Sequence, residues 1–169
     1  GFSADLMVTR HYTQKEYPFI FTNGVQASYV EVDPDTGFVK LLKHWAVEDC
    51  GRVLNPMLVD EQVRGAIVQG IGGVLFEECI YDESGLLRNG SMADYLVPMA
   101  NEMPDIEVAH VETPTQSSKL GAKGAGEAGT AGAPGAVQNA INDALAPFNK
   151  AVFDQPITCE KILKALGKV

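Results

Sequence analysis

The first half of the chain contains two extended segments separated by a turn. Residues 19–32 are rich in β-branched and aromatic side chains and alternate between polar and apolar positions near their end. This pattern predicts a β-strand, interrupted near residues 23–24. The turn at residues 33–37 has Pro34 at its second position and leads into another extended run over 38–47. We therefore expect the two segments to pair as an antiparallel hairpin.

An apolar stripe at helical spacing follows Pro56. Its members are Val59, Val63, Ile67 and Val74, with Ala66, Gly70 and Ile71 between them. The pattern predicts a long helix over about 57–78. Glycine costs about 1 kcal/mol relative to alanine inside a helix, so the four glycines between 65 and 73 indicate close packing against another backbone or against a bound group.

The second half of the chain alternates shorter elements. The patterns predict a hairpin over 80–88, a strand over 106–112, and helices over about 135–145 and 158–166. Thr158 is expected to cap the last helix and Gly167 to end it. His110, in the predicted strand, is expected to be a surface residue or one whose hydrogen bonds are satisfied. The order of elements predicts a mixed α+β domain.

Composition narrows the functional classes. The 169 residues suit a single domain, and the 46% of hydrophobic residues suffice for a core. A formal charge of −9 disfavours binding to nucleic acid or to an anionic membrane. No apolar stretch has the length of a membrane span, and no signal-peptide pattern is evident in the first twenty residues, so we expect a cytoplasmic protein. The three cysteines have no metal-site spacing and are expected to be ordinary thiols.

Glycine and alanine dominate residues 121–135, and a single carboxylate, Glu127, lies among them. Small side chains let backbone N–H groups approach a ligand closely, and an acid at the centre of such a loop would face that ligand. Glu127 is therefore the main candidate functional residue. The composition leaves open an alternative, a glycine-rich connection that only passes between packed layers.

Residues 124–129 also match the G-x-G-x-x-G pattern of dinucleotide-binding folds. That pattern requires a buried strand that runs directly into the first glycine, whereas the polar stretch 113–118 precedes it here. The next acid, Asp143, lies in a predicted helix and not at the end of a second strand. A nicotinamide-binding module is therefore disfavoured, and failure to bind NAD in a calorimetric titration would remove it.

The start of the predicted long helix is a second candidate site. Asn55 is placed to act as its N-cap, and the free N–H groups of the first turn, at the positive end of the helix dipole, favour an anion. Gln62, about two turns along, is placed to reach a polar group there. Ordinary capping by Asn55 explains the same residues without a ligand, and the sequence leaves both interpretations open.

Five short motifs are informative together because of their order and spacing. They are Val-Asp-Pro-Asp-Thr-Gly at 32–37, Glu-Asp-Cys-Gly-Arg-Val-Leu-Asn-Pro at 48–56, the glutamine- and glycine-containing segment 62–73, Asp-Tyr at 94–95 and Lys-Gly-Ala-Gly-Glu-Ala-Gly at 123–129. From about residue 18 onward the chain thereby resembles the C-terminal part of the molybdopterin-binding large subunit of the xanthine dehydrogenase family of molybdenum hydroxylases. The continuation at 128–135 is most similar to bacterial carbon monoxide dehydrogenase-like and aldehyde or N-heterocycle hydroxylase members.

The resemblance implies a fold and a chemistry. The fold is the α+β molybdopterin-binding domain of the aldehyde oxidase/xanthine dehydrogenase type, with antiparallel hairpins, a long glycine-containing helix and two C-terminal helices. Glu127 is implied to lie beside molybdenum as the general base, taking a proton from the water-derived oxygen that attacks an electron-poor carbon of the substrate. Burial in the small-residue loop, with Lys123 as its one nearby cation, is expected to make its carboxylate a better base.

The same resemblance implies which residues hold the cofactor. Those expected against the pterin and metal, through backbone N–H groups, are Lys123, Gly124, Ala125 and Gly126, and those at the dinucleotide end are Asn55, Val59 and Gln62. No residue is assigned as a direct metal ligand. The implied cofactor is molybdenum–molybdopterin in its cytosine dinucleotide form.

Partners follow from what the chain lacks. Residues 1–169 are expected to be only the C-terminal portion of the molybdopterin-binding domain, either a fragment or a separate chain, so the remainder of that subunit must complete the site. An iron–sulfur subunit and a flavin subunit are implied for electron transfer, with iron–sulfur clusters and FAD held only there. A non-catalytic scaffold or accessory domain of the same fold, without cofactor, is the alternative hypothesis. The substrate is an unspecified small molecule, because the pocket walls that would select it are implied to come from other segments.

Overall fold

A computed structural model describes residues 6–13 and 19–169 of the chain. Within these residues the strands are β1 Asn23–Val32, β2 Val39–Asp49 and β3 Ile106–His110. The α-helices of the same ranges are α1 Pro56–Leu75, α2 Ala128–Leu145 and α3 Cys159–Leu166, and short 3₁₀ turns lie at Ala100–Glu102 and Ala146–Phe148. The predicted α+β class, with a long helix and two C-terminal helices, is confirmed.

The strands form one sheet in the order β1-β2-β3. The pair β1 and β2 is antiparallel, as predicted, whereas β3 joins the other edge of β2 in parallel. β1 starts at Asn23 and not at residue 19, because Asn23 pairs with Asp49, the last residue of β2, and no strand residue remains opposite the earlier segment. Phe19 and Phe21 lie before the strand, with their rings 6.3 Å apart.

The apolar stripe of α1 is buried as predicted, with Ile67 and Ile71 completely shielded from solvent. The helix ends at Leu75, three residues earlier than expected, because the N–H groups of Phe76 and Glu77 both donate to the carbonyl of Gly72. When one carbonyl accepts from two successive N–H groups in this way, the regular hydrogen-bond pattern of the helix ends.

α2 begins at Ala128, whereas the sequence predicted a start near residue 135. The second half of the glycine-rich segment is therefore helix and not loop, despite Pro134 in its interior. Packing explains the difference, since α1 crosses α2 so closely that a Cβ on Gly70 would lie 2.8 Å from the Cβ of Ala133. Tertiary contact stabilises a helix that intrinsic propensity alone would not predict.

One core joins the sheet to the helices. It contains Val30 and Leu41 from the strands, Val137 and Ile141 from α2, and Ile162 from α3, all buried. The core confirms that the sheet and the helices form one packed unit.

α3 begins and ends as predicted, whereas the predicted hairpin before β3 is largely absent from the described residues. The Thr158 side chain accepts a hydrogen bond from the Lys161 N–H at 3.3 Å, and Gly167 ends the helix in the left-handed conformation, both as predicted. The hairpin at 80–88 is reduced to a single bridge between Tyr81 and Leu87.

Within residues 6–13 and 19–169, no helix combines the length and apolar character needed to cross a bilayer.

Candidate cofactor site

Glu127 lies at the junction between the glycine loop and α2, in the N-cap position of the helix. Its side chain is exposed and, within the described part of the chain, makes no capping hydrogen bond. It borders a groove of about 260 Å³. The groove is lined by the end of the segment before β1, by β1, β2 and the start of α2, namely Thr22, Asn23, Gly24, Gln26, Glu48, Glu127, Ala128, Ala131 and Gly132. The carboxylate is therefore available to a ligand in this groove.

The burial predicted for Glu127 is not found. The described residues leave its side chain open to solvent, because the glycine loop lies at the surface and only the helix that follows is packed against α1. Any shielding of this carboxylate must come from outside the described chain.

The glycines of residues 124–129 have two different roles, one beside open space and the other in helix packing. A Cβ at Gly126 would meet no described atom within 4 Å, and one at Gly124 would meet only the Ile20 carbonyl, at 3.9 Å. The space beside this stretch, which includes Ala125, is therefore open, and a flat ligand can lie directly against its backbone. Farther along, a Cβ at Gly129 would lie 2.4 Å from the Val63 carbonyl oxygen, so that glycine serves helix packing.

α1 is joined to the glycine loop by one side chain. Gln62 donates from Nε2 to the carbonyl oxygen of Gly126 at 2.9 Å. At the start of the same helix, Asn55 accepts a hydrogen bond from the Leu58 N–H at 3.3 Å, which confirms the predicted N-cap. Val59 is half-buried and packs against the core. Asn55, Val59 and Gln62 were assigned from the sequence to the start of this helix, and the structure instead hydrogen-bonds the Gln62 amide to the glycine loop.

Lys123 anchors the loop. Its backbone N–H donates to the Cys50 carbonyl at 2.7 Å, so this donor is already used. Its Nζ lies 3.0 Å from Oδ2 of Asp49 and 2.7 Å from Oγ1 of Thr113. The loop backbone offered to a ligand therefore begins at Gly124, after Lys123 has fixed it to the end of β2.

Asp49 is the centre of this anchor. Its carboxylate is buried and accepts hydrogen bonds from the Gly51 N–H at 2.9 Å, from both the N–H and the hydroxyl of Thr113, and from Lys123. These donors, the Thr113 hydroxyl first among them, hold the pKa of Asp49 well below its ordinary value. The ionised carboxylate is thus part of the folded structure.

We expect acid to release this anchor. Because the folded-state pKa of Asp49 is lowered, its stabilising contribution is complete above the ordinary carboxyl value of 3.8 and is lost as the pH falls below it. Asp49→Asn removes this pH dependence. Melting temperatures of the assembled protein from pH 7 down to pH 3 should therefore fall less steeply for the variant than for the wild type. Parallel curves would contradict the assignment.

A buried polar network lies under the groove, and the sequence analysis missed it. Gln26 donates from Nε2 to Oε1 of Glu48 at 3.0 Å and to the Gly129 carbonyl at 2.9 Å. The imidazole of His44 contacts Oε1 of Gln26 through Nε2, at 3.1 Å, and Oγ of Ser28 through Nδ1, at 2.8 Å. These side chains connect β1 and β2 to the first turn of α2.

Burial sets the charge states in this network. His44 is fully buried, and desolvation lowers its pKa to about 4, so the imidazole is neutral near pH 7. Burial also raises the pKa of Glu48, although its hydrogen bond from Gln26 opposes the shift. In the sequence, the available signal for this network was the polar residues at alternate positions of two strands, but alternation alone does not tell which face of a strand is buried.

His110 has a hydrogen-bond partner at one ring nitrogen. His110 is paired through Nε2 with Oδ1 of Asp60 at 2.6 Å, while its buried Nδ1 has no hydrogen-bond partner in the described structure. The expectation of a satisfied histidine is thus met at one nitrogen only.

The cysteines are free, Cys50 buried and the other two exposed. β3 ends at His110, so no strand runs directly into Gly124.

Comparison with known proteins identifies the class. A family model described as "Molybdopterin cofactor-binding domain" matches residues 2–104, more than half of the chain. The chain belongs to this family, which confirms the resemblance to molybdenum hydroxylases.

Individual relatives extend the match past the family model. The chain is 48% identical over 146 residues to the nicotine 6-hydroxylase large subunit of Paenarthrobacter nicotinovorans, covering 86% of this chain and 18% of the relative. It is 34% identical over 140 residues to the carbon monoxide dehydrogenase large chain of Afipia carboxidovorans, covering 83% and 17%. The chain therefore spans about a fifth of the length of these relatives.

Solved structures agree with the sequence relatives. Quinoline 2-oxidoreductase from Pseudomonas putida 86 superposes with a TM-score of 0.79 at 43% identity, covering 82% of this chain and 18% of that one. Aldehyde oxidoreductase from Desulfovibrio gigas superposes with a TM-score of 0.76 at 27% identity, covering 86% and 15%. The fold is that of the molybdopterin-binding domains of molybdenum hydroxylases.

Proposed function

We propose that this chain is the C-terminal portion of the molybdopterin-binding subunit of a molybdenum hydroxylase. The enzyme hydroxylates an electron-poor carbon of an aldehyde, an N-heterocycle or a similar small molecule with an oxygen atom derived from water. Glu127 is the general base. The observation that carries the proposal is the position of this carboxylate, exposed on a groove at the end of a loop that leaves open space beside its glycines.

The residues of the loop fit the proposed cofactor. Gly124, Ala125 and Gly126 offer backbone N–H groups, with no described side chain packed over Gly126. Gln62 keeps the Gly126 carbonyl turned toward α1, which leaves the opposite side of the loop for the pterin. When bound, the molybdenum cofactor supplies the two-electron redox chemistry, while the protein orients the reactants and handles protons.

The start of α1 is proposed to hold the dinucleotide end of the cofactor, in its cytosine form. Pro56 has no N–H, and the Leu58 and Val59 N–H groups donate to Asn55, so the Met57 N–H, at the positive end of the helix dipole, is the first-turn donor proposed for a phosphate. Val59 and Gln62 follow on the same helix. This assignment rests on the resemblance and on the geometry of the helix start.

Glu127 acts on a proton. As the water-derived oxygen attacks the substrate carbon, its O–H proton passes to a carboxylate oxygen of Glu127, and an aligned base typically accelerates such a step by about 10²–10⁴-fold. The N-cap position keeps this carboxylate at the end of a helix fixed to the core, so its backbone is well defined. Lys123 does not reach it as an ion-pair partner, because Asp49 and Thr113 hold its Nζ.

The rest of the molybdopterin-binding subunit is the proposed immediate partner. The sheet face opposite α2 exposes Val25, Tyr29, Trp45 and Val47, at 66%, 60%, 38% and 36%. A contiguous apolar face of this kind is typical of an interface, which supports further subunit segments as its cover. An iron–sulfur subunit and a flavin subunit are proposed to carry electrons onward. Cytoplasmic location stays a prediction from the sequence.

Cofactor analysis of the assembled protein tests the proposal. The chain, purified with its natural partners, should contain molybdenum and release a cytosine nucleotide on acid treatment. If both are absent, the enzyme hypothesis is wrong and the scaffold alternative replaces it. Molybdenum without a cytosine nucleotide would correct only the form of the cofactor.

A pair of glycine variants makes the test specific to the loop. Gly126→Ala places a methyl group in the open space proposed for the pterin and is expected to lower the molybdenum content. Gly135→Ala, in α2, also meets no described atom within 4 Å and should leave the content unchanged. Equal content in both variants would contradict the proposed contact with Gly126.

A further inference from the structure

Two carbonyl groups near Glu127, one residue before it and two residues after it in the chain, are each held by a glutamine. On the side before it, Gln62 of α1 donates to the Gly126 carbonyl at 2.9 Å. On the side after it, Gln26 of β1 donates to the Gly129 carbonyl, also at 2.9 Å. Glu127 therefore lies on a short segment restrained from both a helix and the sheet.

The orientation of Gln26 is itself determined. Its Nε2 donates to both Glu48 and Gly129, so its Oε1 must accept the proton on Nε2 of His44. Nδ1 of this neutral imidazole then accepts from the Ser28 hydroxyl. Each polar atom of the Gln26 amide thus has a partner, and the side chain cannot rotate without leaving buried groups unsatisfied.

The network is placed where it can influence the groove. Gln26 and Glu48 line the same groove as Glu127, while His44 lies fully buried behind them. Gly132, one turn into α2, is packed directly on Gln26, since a Cβ there would lie 2.9 Å from the Gln26 Cδ. The amide of Gln26 is therefore confined between the sheet and the first turns of α2.

We propose that Gln26 is a positioning residue for Glu127: through the Gly129 carbonyl it holds the first turn of α2, and it thereby sets the direction in which the Glu127 carboxylate enters the groove. This inference rests on the proposed function, in which Glu127 is the base. His44 acts one step farther away, by fixing the Gln26 amide so that its N–H groups point to Gly129 and Glu48. Gln26 itself transfers no proton in this role.

The first test is Gln26→Met in the assembled enzyme, which keeps the side-chain length and removes the hydrogen bonds. A misplaced catalytic group costs up to about 10²-fold in rate, so we expect kcat to fall roughly 10- to 100-fold with KM changed less than about twofold. Gln138→Met, on α2 and remote from the groove, removes another amide hydrogen bond, to Gln155, and should leave kcat unchanged. Unchanged kcat in Gln26→Met would overturn the proposal.

A double variant separates positioning from general damage. If Gln26 acts through Glu127, then Gln26→Met should cause no further loss of kcat in a Glu127→Gln background. An equal loss in both backgrounds overturns the positioning role, because the effect would not depend on the base. Full turnover in Glu127→Gln alone would instead overturn the proposed function.

Two further measurements test the same anchor, the first with Gln26 kept in place and the second without a turnover assay. Gly132→Ala should displace the Gln26 amide, although alanine favours the helix, and it should lower kcat as Gln26→Met does. Gly135→Ala, one turn along, should leave kcat unchanged. Amide hydrogen exchange over residues 127–132 should quicken in Gln26→Met, even in protein without cofactor. Unchanged exchange there would overturn the anchor whatever the role of Glu127.

Discussion

Glu127→Gln is expected to reduce kcat by about 10²–10⁴-fold in the assembled enzyme, the range that general acid–base catalysis typically supplies. The substitution keeps the shape of the side chain and removes its capacity to take a proton. Because the Glu127 side chain makes no capping hydrogen bond within the described chain, the fold should not change. Steady-state kinetics, with molybdenum content measured on the same samples, checks the prediction.

The control is the same chemical change at another exposed carboxylate. Glu83 lies in the turn of the short 80–88 hairpin, and Glu83→Gln should retain wild-type kcat. Glu127→Asp should lie between the two, since it keeps the acid but shortens the side chain by one methylene. If Glu127→Gln turns over substrate normally while holding its full molybdenum content, Glu127 is not the base.

The sequence predicted the elements whose signal is local. The stripe of α1 and the cap at Asn55 were predicted correctly, because helical periodicity and N-cap chemistry depend on neighbours within one or two turns. The start of α2 was predicted seven residues late, because its glycines and Pro134 disfavour a helix locally. Contacts with α1 and with Gln26 of β1, invisible in a single stretch of sequence, stabilise those turns.

The site was predicted in part for the same reason. Glu127 was evident as one acid among small residues, whereas Gln62 was assigned to the start of α1 and its hydrogen bond to Gly126 was not predicted. Gln26, His44 and Glu48 were missed as a group, because they come from two strands and become neighbours only when the sheet forms. The buried side of the two strands carries these polar residues together with apolar ones such as Val30 and Leu41.

The buried polar network has a physical explanation in the position of the site. A buried polar network is tolerated when its members satisfy one another, and this one connects the sheet to the helix that carries Glu127. Apolar residues on the other face, such as Tyr29 and Trp45, are exposed and form the surface that we propose further segments of the subunit cover. One face of the strands thus carries both the core residues, such as Val30 and Leu41, and the polar network under the groove.

Gly129→Ala is expected to destabilise the domain by about 1–3 kcal/mol, the usual cost of forcing an extra carbon into a packed core. The new Cβ would lie 2.4 Å from the Val63 carbonyl oxygen and 3.0 Å from the Ile67 nitrogen. Both atoms belong to the backbone of α1, so they cannot move aside as a side chain would. The gain of about 1 kcal/mol from replacing glycine within a helix does not offset this.

Gly135→Ala, on the same helix, should have the opposite effect on the stability of the protein. Its Cβ would meet no described atom within 4 Å, so only the propensity gain of about 0.5–1 kcal/mol remains, and the protein should become slightly more stable. Melting temperatures of the two variants in the assembled protein should therefore move in opposite directions from that of the wild type. If both rise together, α1 and α2 have room to separate, and the close crossing at Gly129 does not determine where α2 begins. A fall for Gly129→Ala alone would mean that this contact fixes the first turn of α2, and with it the position from which Glu127 faces the groove.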